Sequence, residues 1–189
     1  MKLKLFMILG FSMILTACGQ GNEADPEPDT GQPEETEEND QHTEDEASMQ
    51  NVYLFYPDEH VEDLYRVERS VSSEDTDGAM EALNLWLEGP ESEETSLTTL
   101  TNTDIDIQSI EDHDGVAHVS FSPEFLELQV GSGTEEMLLQ QVALIMDQFG
   151  FEQTQILIDG EIQEQLFGHL STDEPITAED PESYELVES

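Results

Sequence analysis

The clearest chemical signal in the sequence is Cys18, the only cysteine among 189 residues. It follows Leu-Thr-Ala at the end of an apolar run, and two lysines precede that run. A charged start, a short apolar run and small residues before a cleavage point are typical of a secretory signal peptide. The pattern is similar to the bacterial lipobox, in which the cysteine thiol receives a diacylglycerol. Residues 1–17 are therefore predicted to be a signal peptide and Cys18 a lipidated N-terminus, the alternative being an ordinary signal peptide with an incidental cysteine.

The lipid would also fix the location of the chain. A membrane-spanning helix needs about 20 apolar residues, and the run over 5–15 is shorter. One acyl chain binds a membrane marginally, whereas two anchor a protein stably. A doubly acylated Cys18 would hold the protein on the extracytoplasmic face of the cytoplasmic membrane. With that cysteine used for lipid, no internal disulfide can form.

The serines and histidines do not form a recognisable catalytic pattern. Ser132 lies in Gly-Ser-Gly and lacks the G-x-S-x-G spacing of a nucleophile elbow, and a helix-capping role explains it better. The histidines are scattered over turns, a strand and the ends of the chain, and no pair has the spacing of a helical zinc site. They are His42, His60, His113, His118 and His169. We expect no catalytic residue, no metal site and no enzyme activity.

Carboxylate oxygens are typical ligands of calcium, so the many acidic residues raise the question of a calcium site. Two groups deserve mention, Asp104 with Asp106, and Glu111 with Asp112 and Asp114, but neither matches a calcium-loop pattern. The sequence also has no phosphate-binding glycine loop and no dinucleotide motif. No cofactor is expected.

Acidic residues dominate the composition, with 46 Asp and Glu against four Lys and Arg. Such a surface repels nucleic acid and anionic lipid. Residues 18–48 and 171–189 are rich in acids and poor in apolar side chains, so they are predicted to be a disordered tether and a disordered tail. Between them, residues 49–170 form one domain. Its excess of acid is typical of adaptation to high salt, and a cation-binding surface is the alternative.

Hydrophobic periodicity predicts seven elements in this domain. Apolar residues alternate where strands are expected, and they recur at helical spacing around Leu83 and Trp86. Thr76 or Asp77 is predicted to cap the first helix, and a capping box of Ser132 and Glu135 to open the second. Trp86 is interpreted as a core residue, the alternative being a platform for a ligand. Strand, strand, helix, strand, strand, helix and strand are predicted over 51–56, 64–71, 79–88, 105–109, 116–121, 132–149 and 155–158. This ββαββαβ order indicates an α+β domain with two helices on one face of a mixed or antiparallel sheet.

Three segments together resemble a known family. They are Ala82-Leu83 with Trp86-Leu87-Glu88-Gly89-Pro90, the stretch from Asp114-Gly115 to Phe121, and the second helix with the strand that ends in Ile158-Asp159-Gly160. In order and spacing they are similar to the GerMN domain of sporulation and spore-germination lipoproteins. The matching scaffold positions are Leu83, Trp86, Gly89, Pro90, Gly115 and Phe121.

The resemblance implies a non-enzymatic domain related in fold to ring-building modules, which pack side by side at a membrane. It covers one copy of the domain, whereas the germination protein that names the family has two. The expected role is assembly with envelope or sporulation proteins, with a homo-oligomer as one form of it. A lipoprotein that binds a small molecule or a cation such as calcium is the alternative function.

Overall fold

A computed structural model describes residues 49–73, 75–101 and 104–187. Contacts divide the chain into Met1–His42 and Thr43–Ser189, and all described residues belong to the second unit. The predicted signal peptide, Cys18, the tether and His42 lie outside the described residues. Within the described part, no helix combines the length and the hydrophobicity needed to cross a bilayer.

The domain contains two helices and eight strands among the described residues. The predicted order of the first seven elements is confirmed. The elements are β1 (Gln50–Pro57), β2 (Leu64–Val71), α1 (Thr76–Glu88), β3 (Ile107–His113), β4 (Val116–Phe121), α2 (Ser132–Asp147), β5 (Gln153–Ile158), β6 (Glu161–Ile162), β7 (Ile176–Thr177) and β8 (Glu185–Leu186).

The α+β class is confirmed, but the strands divide between two sheets. The first has the order β1-β2-β8, and the second has the order β3-β4-β5-β6 with β7 also paired to β5. Strands β4 and β5 are parallel, and α2 makes the crossover that a parallel pair requires. The helices contact each other and strands of both sheets. They therefore form a layer that the two sheets share.

The core lies between these layers. Strand β1 is covered on both faces, because the consecutive residues Leu54, Phe55 and Tyr56 are fully buried. The indole N–H of Trp86 donates a hydrogen bond of 2.7 Å to the Gln141 side chain, and both residues are fully buried. Trp86 thus joins α1 to α2 in the core, with its one polar atom satisfied.

The helix starts differ from their predicted caps. Asp75, one residue before the predicted Thr76, caps α1 by accepting a 3.0 Å hydrogen bond from the Asp77 backbone N–H. The N-cap of α2 is Gly131, without a side-chain bond. The predicted capping box is wrong because the Glu135 side chain turns inward, where it is fully buried and accepts from the Leu170 N–H.

The C-terminal segment 171–187 differs from the predicted disordered tail. Strand β7 pairs with β5, and strand β8 pairs in parallel with β2. The ring of Tyr184 packs edge-on against Phe55, with 5.5 Å between the ring centroids. A few backbone pairs and one aromatic contact order this acidic sequence, and its composition did not indicate them.

Candidate functional site

A groove on one face of the second sheet has a volume of about 530 Å³. Side chains alternate across a strand, so the face of β4 opposite the buried Ala117 and Val119 carries His118 and Ser120. Strand β3 contributes every second residue to the same face. The lining residues are Ser109, Glu111, His113, His118, Ser120, Leu157, Gly160, Glu161 and Ile162.

The β3–β4 hairpin brings two histidines together in this groove. Asp114 and Gly115 form the turn, with φ values of 56° and 89°, the backbone region that an Asp-Gly hairpin turn adopts. The resulting register places Glu111 directly opposite His118. The rings of His113 and His118 stack with their centroids 4.1 Å apart and 14° between the planes. These two histidines are therefore not scattered, contrary to the interpretation of the sequence.

Glu111 and the two histidines determine the electrostatics of the groove. The Nε2 atom of His113 lies 3.1 Å from the Glu111 carboxylate, which orients that ring. Partial burial lowers the pKa of His118, and the neighbouring His113 lowers it further, although Glu111 acts in the opposite direction. His118 is therefore neutral at pH 7. The pair presents planar, polar rings beside a carboxylate.

Ser120, which also lines the groove, is fixed in a structural role. Its hydroxyl donates a 2.7 Å hydrogen bond to Gln108 and accepts a 2.9 Å hydrogen bond from the Gly160 N–H. Gln108 in turn donates to Asp159. This chain of bonds ties the β5–β6 turn to β3 and β4.

The hydrogen bonds of the serine side chains show whether a histidine is placed to activate one of them. Ser132 is an exposed residue at the start of α2. Among the described residues, no serine hydroxyl is hydrogen-bonded to a histidine, which is the pairing that activates a serine nucleophile.

The possible metal ligands outside the groove are either exposed or used in other contacts. Asp112 accepts a 2.7 Å hydrogen bond from the Gly115 N–H in the hairpin turn, and Asp104 and Asp106 are exposed before β3. His60 and His169 are exposed and lie apart from the groove, His60 being 3.9 Å from Asp58. In the described ranges, no group of three or more His, Cys, Asp or Glu side chains is arranged to hold a metal ion.

One wall of the groove is made by the chain after β5. Gln155 lies on the groove face of β5 but is buried, because its side-chain amide donates a 2.8 Å hydrogen bond to the Thr172 carbonyl. The Thr172 N–H donates to the Glu164 carbonyl, which closes the loop over the sheet. Leu157 and the half-exposed Ile162 supply the apolar part of the lining.

A buried ion pair lies on the other sheet. Arg69 of β2 contacts Glu94 at 2.7 Å and Glu91 at 3.3 Å, and the side chains of Arg69 and Glu94 are 10% and 1% exposed. Glu94 also accepts a hydrogen bond from the Glu91 N–H. The pair fastens the loop after α1 to β2 of the first sheet.

The predicted scaffold positions are distributed over the fold and do not form a site. Leu83, Trp86 and Phe121 are fully buried, and Pro90 is half-buried. Gly89 and Gly115 have φ values of 90° and 89°, a region that favours glycine. Gly89 ends α1, and its N–H donates to the Trp86 carbonyl.

Comparisons with known proteins agree with this fold. The sequence model of the Germane family, described as sporulation and spore germination, matches residues 51–164. No curated protein matches the chain. The structure is similar to the tandem GerMN domains of the sporulation protein GerM from Bacillus subtilis, with 17% identity and a TM-score of 0.53 over 69% of this chain and 46% of that one.

The chain thus spans about half the length of that tandem structure, as one domain would. The first GerMN domain of the same protein gives 21% identity and a TM-score of 0.50, over 68% of this chain and 94% of that one. These likenesses show the fold. The family match covers more than half of the sequence, and the chain belongs to the Germane family of sporulation and spore-germination domains.

Proposed function

We propose that the protein is a lipoprotein of the cell envelope whose Germane domain acts by binding other proteins during sporulation or germination. The lipobox-like sequence before Cys18 supports the anchor. The acidic stretch 18–48 then separates the domain from the membrane. At about 3.3 Å per residue, its extended reach is on the order of 100 Å, which lets the domain meet partners away from the lipid surface.

The observation that carries a binding role is the groove on the second sheet. It is an open cavity of about 530 Å³ lined by the stacked rings of His113 and His118, by carboxylates and by apolar side chains. The sporulation protein GerM, whose GerMN domains have a similar fold, supports a role in sporulation. We infer that this domain works by contact and not by catalysis.

The anchor is tested by growing cells with a labelled fatty acid. The wild-type protein is expected to carry the label and to sediment with membranes, whereas Cys18→Ser is expected to lose both properties. A labelled Cys18→Ser protein, or an unlabelled wild-type protein in the soluble fraction, would contradict lipidation.

The binding role is tested by photo-crosslinking from the groove in sporulating cells. A photoreactive residue at Ile162, which is half-exposed, is expected to capture a sporulation or envelope protein. The same residue at Asn84, which is exposed on α1, is the control. Capture of the same proteins from both positions would show that the groove has no special part.

A second function is favoured by the histidine pair itself. His113, His118 and Glu111 face one cavity, so the groove can also take a small polar ligand, whereas a cation would need ligands beyond these three side chains. Calorimetry with calcium and with zinc tests the cation. Saturable binding that Glu111→Gln abolishes would favour a cation site, and the absence of heat with both ions would remove it.

A further inference from the structure

The C-terminal segment 171–187 lies beyond the family match, which ends at residue 164. It runs from the second sheet to the first, because β7 pairs with β5 and β8 pairs with β2. Between these strands, the Gln140 side chain of α2 donates to the Thr177 carbonyl and accepts from the Glu179 N–H, both at 3.1 Å. We call residues 176–187 the C-terminal strap.

The end of the strap is bound along the edge of β2. We call this binding position, formed by Tyr65, Arg66 and Phe55, the seat. Glu185 and Leu186 pair in parallel with Tyr65 and Arg66, and the Val187 N–H donates a 2.9 Å hydrogen bond to the Arg66 carbonyl. The adjacent Tyr184 ring packs on the buried Phe55. Backbone pairing at a sheet edge together with a side-chain anchor is the mode by which many domains bind an extended peptide.

The strap is held by short strand pairings and by part-buried side chains. Each of its two strands pairs only two residues, and most of its side chains are exposed, although Ile176, Ala178, Tyr184 and Val187 pack against the core. An open cavity of about 260 Å³ lies beside Tyr184, Leu64 and Met137. Segments with few buried contacts open at a lower free energy than the whole domain.

Like charges also oppose the closed position. Glu62, Asp63 and Glu136 line the cavity on the domain side, and Glu179 faces them from the strap. The Tyr184 hydroxyl donates a 2.6 Å hydrogen bond to Glu179. Repulsion between exposed carboxylates is strong at low salt and is screened at high salt. The strap is therefore expected to leave its seat more easily when salt is low.

We propose that the edge of β2 is a receptor for an extended segment, and that its occupant in an assembly is the C-terminal strap of a second copy of this chain. The strap pairs with β2 of its own chain, so its sequence fits this edge. Every copy of the chain carries the same strap. Exchange of an identical element between copies creates no new interface chemistry. From residue 173 to Tyr184 the free chain reaches about 35 Å, enough to enter a neighbouring domain.

A second copy is the expected occupant because anchored chains are concentrated on one membrane, which rests on the proposed function. Chains anchored to one membrane by Cys18 would meet at a high effective concentration, which favours exchange between neighbours. The receptor itself does not depend on the anchor, because peptide binding can be measured in solution.

The receptor is tested with a fluorescent peptide of the sequence 176–187. It is added to the wild-type protein, whose seat is occupied in cis, and to Tyr184→Ala, whose own strap lacks the anchor. Because an occupied seat must open first, binding to Tyr184→Ala is expected to be at least about tenfold tighter. Ile162→Ala, a substitution on the distant groove, is the matched control and is expected to bind like the wild type.

Three results would overturn the receptor. They are no saturable binding to the Tyr184→Ala protein, equal binding of a peptide in which Tyr184 is replaced by alanine, and binding that weakens as salt is raised. If Tyr184→Ala does not fold, Val187→Pro replaces it, because proline removes the N–H that bonds Arg66 and leaves the aromatic anchor in place.

The second copy is tested with cysteines at the paired positions Tyr65 and Glu185 in a Cys18→Ser background. A disulfide within one chain gives a monomer, and exchange gives a covalent dimer whose share rises with protein concentration and with salt. Monomer alone at every concentration would overturn the second copy as occupant. Failure of lipidation in cells would overturn the proposed anchor and leave the peptide result unaffected.

Discussion

The side-chain amide of Gln148 pairs with both backbone polar groups of Tyr53. The Tyr53 N–H donates to Oε1 at 2.7 Å, and Nε2 donates to the Tyr53 carbonyl at 2.8 Å. Strand β1 is an outer strand of its sheet, so these groups would otherwise face no strand. An unpaired edge invites pairing with another chain, and Gln148 satisfies the edge of β1 as a strand partner would.

Gln148→Ala is expected to destabilise the domain and to promote association through β1. Leaving a part-buried backbone group unsatisfied costs about 1–3 kcal/mol. The measurement is urea unfolding, with light scattering for association. Gln163→Ala is the matched control, since the Gln163 side-chain amide donates only to the exposed Glu161 carbonyl, so it should cost less. Equal losses for both variants would refute this account.

Gly78→Ala is expected to be severely destabilising although it lies in a helix. A Cβ atom at Gly78 would lie 2.0 Å from the Ser73 carbonyl oxygen, whereas Gly133 of α2 has nothing within 4 Å of that position. Replacing glycine by alanine in an open helical position stabilises by about 0.8–1.0 kcal/mol. Thermal unfolding of both variants should therefore show opposite signs. A melting temperature for Gly78→Ala at or above that of the wild type would contradict the close contact.

The Arg69–Glu94 pair predicts a non-additive result. Arg69→Met leaves the Glu94 carboxylate buried without its cation, and breaking such a pair typically costs about 3–5 kcal/mol. The double variant Arg69→Met, Glu94→Leu removes both charges and is expected to recover much of that loss. A double-mutant cycle in urea measures the coupling. Additive losses would show that the two side chains stabilise the domain independently.

The lowered pKa of His118 predicts that the stability of the domain depends on pH. Its pKa is lowered in the folded protein, chiefly by burial and then by His113, so the unfolded chain binds the proton more tightly. Stability is then lost as the pH falls through the unfolded value of about 6.5. The groups that face the ring are His113 and Glu111, with Glu161 across the groove. His118→Gln should reduce the slope of stability against pH between pH 7 and pH 5, and the exposed His169→Gln should not.

The acidic composition predicts that stability rises with salt. The sequence after Lys4 has only Arg66 and Arg69 against all of its acidic residues. Screening this repulsion should raise the melting temperature up to molar salt. Potassium chloride is the suitable salt, and sucrose, which is uncharged, is the control for a general effect of solutes. A melting temperature that does not change with salt would remove the support for high-salt adaptation.

Local patterns in the sequence predicted most of the elements correctly. Alternation identified β1, β2 and β4, and the spacing around Leu83 and Trp86 identified α1, because these signals depend on residues close in the chain. The division into two sheets depends on contacts between distant segments. Periodicity says which face of a strand is buried but not which strand lies beside it.

The groove was missed for a related reason. His113 and His118 meet only through the register of the hairpin, and the Asp-Gly turn together with the alternation of β4 contained that register. Reading the pairs outward from Asp114 and Gly115 places Glu111 opposite His118. Glu135 shows the converse error, since its spacing from Ser132 matches a capping box but a buried contact with Leu170 takes the side chain inward.

The two arginines of β2 have a consequence for proteolysis. Trypsin-like proteases cut after lysine or arginine, and beyond Lys4 the chain offers only Arg66 and Arg69. Both lie in a strand that is hydrogen-bonded to β1, and Arg66 also lies 4.7 Å from the centre of the Tyr53 ring. Cleavage by such proteases requires this hairpin to open. A protein exposed outside the cell would thus lack digestible sites for an entire protease class for as long as its first sheet stays closed.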